Sequence, residues 1–212
     1  MKPRDVAAAY DQVAAAYADR FAGELAAKPL DRALLDVIAA EVRGGLVADF
    51  GCGPGHAAAY LVRRGARAVG IDLSPATIER ARVAYPEVDF RVGDLAAPPL
   101  EAGSLAAAVA LYAIVHLSAT ELPAAFTGCA RTLAPGAPLL LSFHVGEKPI
   151  HRSEFLGAAV ELTFHFHTTT QVTAALEQAG LEVEMRLERA PYVAVEHPST
   201  RGYVLARRRS PA

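Results

Sequence analysis

The 212-residue sequence predicts an α/β protein, a doubly wound and mainly parallel sheet with helices on both faces. Three observations point there. Short apolar runs alternate with amphipathic stretches along most of the chain. The run Val47-Ala48-Asp49-Phe50 empties into glycines at positions 51, 53 and 55 just before a helical segment. The run from Leu105 to Leu111 is unbroken and apolar, the pattern of a central parallel strand buried on both faces.

The elements follow in order. Arg4 to Gly23 is alanine-rich, and Val6, Tyr10, Val13, Tyr17 and Phe21 recur at three- and four-residue intervals, on one face of an amphipathic helix. A second helix runs from Pro29 to Arg43, with proline in its first turn and Gly44-Gly45 just past its end. After the first strand and the glycines, Ala57 to Arg64 is a helix stopped by Gly65. Ala66 to Asp72 is the second strand, and Ser74 caps a helix that Pro75 opens and that ends before Tyr85-Pro86. Val88 to Val92 and Leu105 to Leu111 are the third and fourth strands. Ser118-x-x-Glu121 has the form of a capping box opening a helix to Leu133, and Pro135-Gly136 then turns the chain into a fifth strand, Pro138 to Phe143. No long period holds from His144 to His167, where Glu154 to Leu162 could form a short helix. Thr168-x-x-Gln171 starts a helix that ends at Gly180. Leu181 to Leu187 and Gly202 to Arg208 are the last strands. Their link, Glu188 to Arg201, is too short for a crossover helix, so they pair antiparallel.

The glycine turn carries the first chemical signal. Glycine is needed where a backbone turns tightly and a ligand approaches without a Cβ in the way, and the helix that follows aims free N–H groups at the same place. A dinucleotide fingerprint, G-x-G-x-x-G, would need glycine at position 56, which is His56, so an NAD(P) oxidoreductase is the weaker reading. Asp72 ends the next strand about twenty residues after the first glycine, where a carboxylate can accept hydrogen bonds from both ribose hydroxyls.

Asp49-x-Gly51-x-Gly53-x-Gly55, Asp72 and Gly93-Asp94-Leu95 together resemble the class I S-adenosylmethionine (SAM) dependent methyltransferases, in particular their small, single-domain, small-molecule branch of the type 11/25 kind. The order of elements matches from about residue 4 to residue 208. The resemblance implies seven strands, with the seventh inserted antiparallel between the fifth and sixth. It implies that Gly51, Gly53 and Gly55 floor the cofactor site, shaped by Cys52 and Pro54, and that Asp49 orients the loop and reaches the cofactor ammonium. Asp72, with Leu73 beside it, clamps the ribose. Asp94, after Gly93, accepts from the adenine amino group, while Leu95 offers its N–H and packs on the ring. Leu111 and Tyr112 line the methionine side, and His116 faces cofactor or substrate. Tyr10-Asp11-x-x-Ala14-x-x-Tyr17 resembles an opening of this group in which a tyrosine, here Tyr17, reaches the cofactor; core aromatics at helical period is the competing reading. His116 and His144 are the candidate proton acceptors, since imidazole titrates near neutral pH.

Bulk properties bound the partners. The length suits one domain spanning 1–212, with residues 1–43 as a helical lid and 144–168 as a substrate-side insert. The 21 basic residues balance 23 acidic ones to a net charge of −2, leaving no global field to gather nucleic acid. Cys52 and Cys129 fit no metal spacing and no disulfide framework. His165-Phe166-His167 puts two imidazoles on one side of an extended segment, without the further ligands a metal site needs. No signal pattern opens the chain and no apolar run reaches membrane-spanning length, so a cytoplasmic protein that does not enter membranes is expected. Three lysines against eighteen arginines suggest a GC-rich bacterial gene. The expected function is methyl transfer from SAM, leaving S-adenosylhomocysteine (SAH), to a small-molecule acceptor by a monomer or homodimer. The rivals are a SAM-binding sensor, a SAM-dependent enzyme that does not methylate, and an oxidoreductase using NAD(P).

Overall fold

The structure is a computed structural model and describes residues 2–210; Met1, Pro211 and Ala212, the ends of the expected 1–212 domain, lie outside them. Helices α1 (Pro3–Phe21) and α2 (Pro29–Val42) precede β1 (Leu46–Phe50), joined by a short 3-10 turn, Glu24–Ala27. Then come α3 (His56–Arg63), β2 (Arg67–Asp72), α4 (Pro75–Ala84), β3 (Asp89–Val92), β4 (Ala107–Leu111), α5 (Leu122–Thr132) and β5 (Pro138–His144). A hairpin, β6 (Ile150–Phe155) and β7 (Ala158–Phe164), leads to α6 (Thr169–Gln178), β8 (Leu181–Arg189) and β9 (Arg201–Arg208).

Seven strands form one sheet in the order β3-β2-β1-β4-β5-β9-β8. The first five are parallel, and β9 runs antiparallel between β5 and β8. The two-residue period of a strand divides the core. Ala48, Phe50, Ala108, Ala110, Leu139 and Leu141 face one side, with Phe126 of α5 and Leu176 of α6. Val47, Val109 and Leu140 face the other, with Leu35, Ile38, Leu61 and Ile78 of α2, α3 and α4. The strand order reverses between β1 and β4, so the crevice outside their carboxyl ends is where an open α/β sheet binds ligands. α1 lies across this edge: it packs on α4 and β7, and Asp11 Oδ1 accepts from Ser74 Oγ at 2.6 Å and from Ala76 N at 2.9 Å, bracing the start of α4.

Two local expectations are corrected. Glu154 to Leu162 is not a helix but most of the β6–β7 hairpin. Its turn residues Leu156 and Gly157 take φ of +51° and +83°, the geometry of a two-residue type I′ turn, and Val160, Leu162 and Phe164 point inward at strand period. Ser118 and Glu121 do meet, with Glu121 Oε2 accepting from Ser118 N at 2.7 Å, but they close a loop. α5 begins only at Leu122 and takes no side-chain cap from them, because the capping-box spacing also suits a free-standing turn. Thr168 and Gln171 do form a capping box on α6.

α5 braces the loop after β3. A Cβ on Gly128 would stand 2.4 Å from the carbonyl oxygens of Leu95 and Ala96, so only glycine lets the helix approach the Asp94-Leu95 segment this closely. Gly128→Ala is expected to destabilise the protein by about 2 kcal/mol, the usual scale of overpacking against rigid backbone, read as a lower midpoint in urea with unchanged slope.

Candidate functional site

β1 ends in Asp49-Phe50 and turns through Gly51, Gly53 and Gly55, whose φ angles are +64°, +51° and +85°. At Gly53 an added Cβ would meet the Tyr17 ring at 3.1 Å, and at Gly51 it would stand 2.5 Å from Ala113 Cβ in the loop after β4. Cys52 and Pro54 are buried within the turn, and Gly55 is the N-cap of α3. Asp49 is almost wholly buried, and its Oδ2 accepts from Ala58 N in the first turn of α3 at 3.0 Å. Burial pushes its carboxyl up to about 7 against that hydrogen bond.

Asp72, at the tip of β2, ties this turn to its neighbour. Its Oδ2 accepts from Gly53 N and its Oδ1 from Ser74 N, both at 2.9 Å, and burial raises its pKa. Each oxygen keeps a second lone pair for a ligand hydroxyl. Leu73 is half-buried beside it. Gly93 N donates to Asp72 O at 2.9 Å, Asp94 Oδ1 accepts from Ala96 N at 2.9 Å, and Leu95 is buried. Gly93, Asp94 and Leu95 therefore stand at the next strand tip.

At the end of β4, Tyr112 takes φ of +57°, unusual for a bulky residue and typical of functional positions. Lys28 Nζ lies 4.5 Å from its ring centroid. A cavity of about 40 Å³ is lined by Tyr17, Glu24, Asp49, Gly51, Cys52, Gly53, Pro54, His56, Ala57, Leu111 and Tyr112. Most of the expected cofactor contacts thus share one space, in which Tyr17 takes much of the room. Small-molecule pockets usually hold about 300 Å³ or more, so the Tyr17 ring, by rotation or with α1, has to shift for an adenosyl compound to enter.

His116 and His144 stand apart, each tied to its own partners. His116 Nε2 is 2.9 Å from Tyr10 Oη and its Nδ1 is 2.9 Å from the Thr163 carbonyl; burial lowers its pKa to about 4. His144 Nδ1 lies 2.8 Å from Ser199 Oγ, its ring stacks on Phe166 at 5.1 Å, and burial lowers its pKa to about 3. His165 and His167 stack at 6.3 Å, and among the described residues no group of three His, Cys, Asp or Glu side chains could hold a metal ion.

The sequence reading missed a buried charge network behind Tyr112. Asp31 Oδ2 accepts from Tyr203 Oη at 3.0 Å and from Arg189 at 3.3 Å, and Arg189 pairs with Glu196 at 2.7 Å. Lys28 pairs with Glu24 at 2.7 Å, and Glu24 lies 3.5 Å from His56 Nε2. His56 Nδ1, buried at the cavity, has no hydrogen-bond partner among the described residues. These residues lie up to 172 positions apart in the chain, so no spacing rule could gather them. The lone lysine before Pro29 was the one visible cue.

Comparison with known proteins decides the family. A family model described as "Methyltransferase domain" matches residues 47–136. A probable S-adenosylmethionine-dependent methyltransferase of Mycolicibacterium smegmatis is 33% identical over 142 residues, covering 65% of this chain and 52% of that one. An uncharacterized methyltransferase of Synechocystis is 31% identical over 150 residues, covering 66% of this chain and 68% of that one. The chain belongs to the class I SAM-dependent methyltransferases. It spans about half the length of the first curated relatives it matches, at 52%, 51% and 47%. Among solved structures, the [4+2]-cyclase SpnF shares the fold of this chain with a TM-score of 0.78 at 18% identity, over 100% of this chain and 98% of that one.

SAM is the cofactor of this family, and the donor set here fits it: bare glycine backbone at Gly53, a half-buried carboxylate at Asp72 that accepts from Gly53 N and has lone pairs to spare, and a second acid, Asp49, lining the cavity. No helix among the described residues is long and apolar enough to cross a membrane.

Asp49→Asn keeps an oxygen for the Ala58 N–H and removes the buried charge. A raised carboxyl contributes stability that is complete below its ordinary value of 3.8 and is lost as pH rises through about 7. Thermal melts are therefore expected to show the variant gaining on the wild type between those two pH values and holding its advantage above them. A difference independent of pH would contradict the assignment.

Proposed function

We propose that this methyltransferase transfers the methyl group of SAM to a small-molecule acceptor at the carboxyl edge of β1, β2 and β4. The observation that carries the reading is the convergence of the Gly51–Gly55 turn with Asp49, Asp72 and Tyr112 at the point where strand order reverses. When bound, SAM supplies a methyl on a sulfonium, so transfer needs an aligned nucleophile more than it needs covalent chemistry from the protein.

The chain's own residues then bind, orient and exclude water. Asp72 holds the ribose hydroxyls on the lone pairs that Gly53 and Ser74 leave open. Asp94 and the Leu95 N–H hold adenine, Asp49 takes the ammonium, and Leu111 and Tyr112 wall the methionine side. α1 and the β6–β7 hairpin, within the 1–43 and 144–168 segments, form the lid and the acceptor wall. Holding two partners in near-attack geometry can supply about 7–11 kcal/mol of the barrier. His116 is favoured over His144 as the group that holds a proton: its lone pair faces α1, whereas Ser199, which engages His144, also accepts from Arg201 at 2.6 Å.

The competing reading is a SAM-dependent enzyme that does not methylate, since function lives in the site and one fold hosts many chemistries. Incubation with SAM labelled in its methyl group and a pool of small metabolites is expected to yield SAH and labelled product. Tight binding of SAM with no SAH formed would favour the non-methylating reading, and binding of NADH in place of SAM would overturn both. Asp72→Ala is expected to weaken SAH binding by about 1–3 kcal/mol in calorimetry, the cost of leaving buried polar partners unpaired; unchanged affinity would remove the ribose assignment.

A further inference from the structure

Two phenols of α1 occupy the crevice side by side. The Tyr17 ring covers Gly53, where the cofactor backbone contact belongs. The Tyr10 ring lies next to it, 5.2 Å centroid to centroid and nearly perpendicular, with His116 at 5.4 Å and Phe155 at 6.1 Å also edge to face. Phe164 closes the wall, 4.8 Å from the imidazole and 5.6 Å from Phe155. At the end of this aromatic chamber the Tyr10 hydroxyl meets His116 Nε2 at 2.9 Å.

The direction of that hydrogen bond follows from the other ring nitrogen. His116 Nδ1 is 2.9 Å from the Thr163 carbonyl oxygen, which can only accept, so Nδ1 carries the hydrogen. In the neutral ring Nε2 then holds the lone pair, and Tyr10 O–H donates to it. The β7 backbone thereby orients an imidazole whose free nitrogen receives a phenol. Its present guest is a side chain of the same protein, on the helix whose Tyr17 ring stands over Gly53.

We propose that the volume held by the Tyr10 ring is the acceptor site, and that it takes an aromatic hydroxyl compound whose O–H donates to His116 Nε2 in place of Tyr10. This rests on the methyl-transfer reading above, because that reading places the acceptor beside the cofactor volume that Tyr17 now fills. The chemistry at Nε2 selects among ligand classes. A carboxylate or phosphate finds an acceptor there and no donor. An alkylammonium could donate to Nε2, but it lacks the ring that packs edge to face on His116 and Phe155, and a benzylic ammonium would bury its charge among aromatic rings. Burial, which keeps the imidazole neutral, leaves the lone pair in place across the neutral range.

The test uses the full chain, SAH and four probes of similar size: 4-nitrophenol, nitrobenzene, 4-nitrobenzoate and 4-nitrobenzylamine. With SAH bound, the wild type is expected to take 4-nitrophenol in its neutral, hydrogen-bonded form, seen by absorbance, at least about tenfold more tightly than the other three. Tyr10→Ala should bind 4-nitrophenol about tenfold more tightly than the wild type even without SAH, since the resident ring is gone. Tyr10→Phe, which keeps the packing and frees Nε2, should bind it several-fold more tightly. His116→Ala should lose the preference for 4-nitrophenol over nitrobenzene. Equal affinity for all four probes, preference for the benzoate or the amine, no gain in either Tyr10 variant, or an intact preference in His116→Ala would each overturn the proposal. Failure of the wild type to bind SAH would count against the methyl-transfer reading instead, and the Tyr10 variants without SAH would still decide the phenol site.

Discussion

The site depends on what the Asp72 carboxylate holds. One oxygen draws the Gly53 N–H toward the tip of β2, and the other fixes Ser74, whose hydroxyl in turn accepts from Thr77 N at 3.1 Å to cap α4. The same Ser74 hydroxyl donates to Asp11, so the chain of contacts runs from the glycine turn through β2 and α4 to the lid helix. A half-buried carboxylate without a cation is costly and is tolerated where hydrogen-bond donors converge on it. Here the donors are backbone groups, so the position of the carboxylate and the shape of the glycine turn are set together.

On the opposite side of the crevice, charge is managed by pairing. Asp31, Arg189 and Glu196 are held with Tyr203, and Arg201 lies 3.6 Å from Glu196 in a site where both side chains are nearly inaccessible. Removing one partner of such a set commonly costs about 3–5 kcal/mol, because the other charge is left buried and alone. The set fastens the loop after β8 to the start of α2 and backs the strained Tyr112. The side of the crevice lined by Leu111 and Tyr112 is therefore backed by paired charges, whereas the side under α1 and the hairpin is walled by aromatic rings.

The parallel core was legible because each of its signals is local. Gly51-x-Gly53-x-Gly55 marks a turn, Leu105 to Leu111 marks a strand buried on both faces, and the short Glu188–Arg201 link excludes a crossover helix; β8 and β9 pair as that link requires. The hairpin was missed because its turn, Leu156-Gly157, is formed by a residue that rarely takes positive φ, and its inward positions mix aliphatic and aromatic side chains. Within the site, the acids and glycines were visible as a spacing. The partners of His116 were not, since Tyr10 lies 106 residues before it and Thr163 contributes only a carbonyl. The Asp31–Tyr203 contact was hidden for the same reason.

Tyr10 and Tyr17 sit seven residues apart on a single unbroken helix, so a guest that opens the cleft by displacing that helix draws both rings out together. Occupancy of one half of the crevice must then lower the work of filling the other, and thermodynamic reciprocity makes the assistance mutual. The N-terminal helix thus acts as a common bolt: whichever guest arrives first meets the greater resistance, and its companion enters a cleft already drawn open.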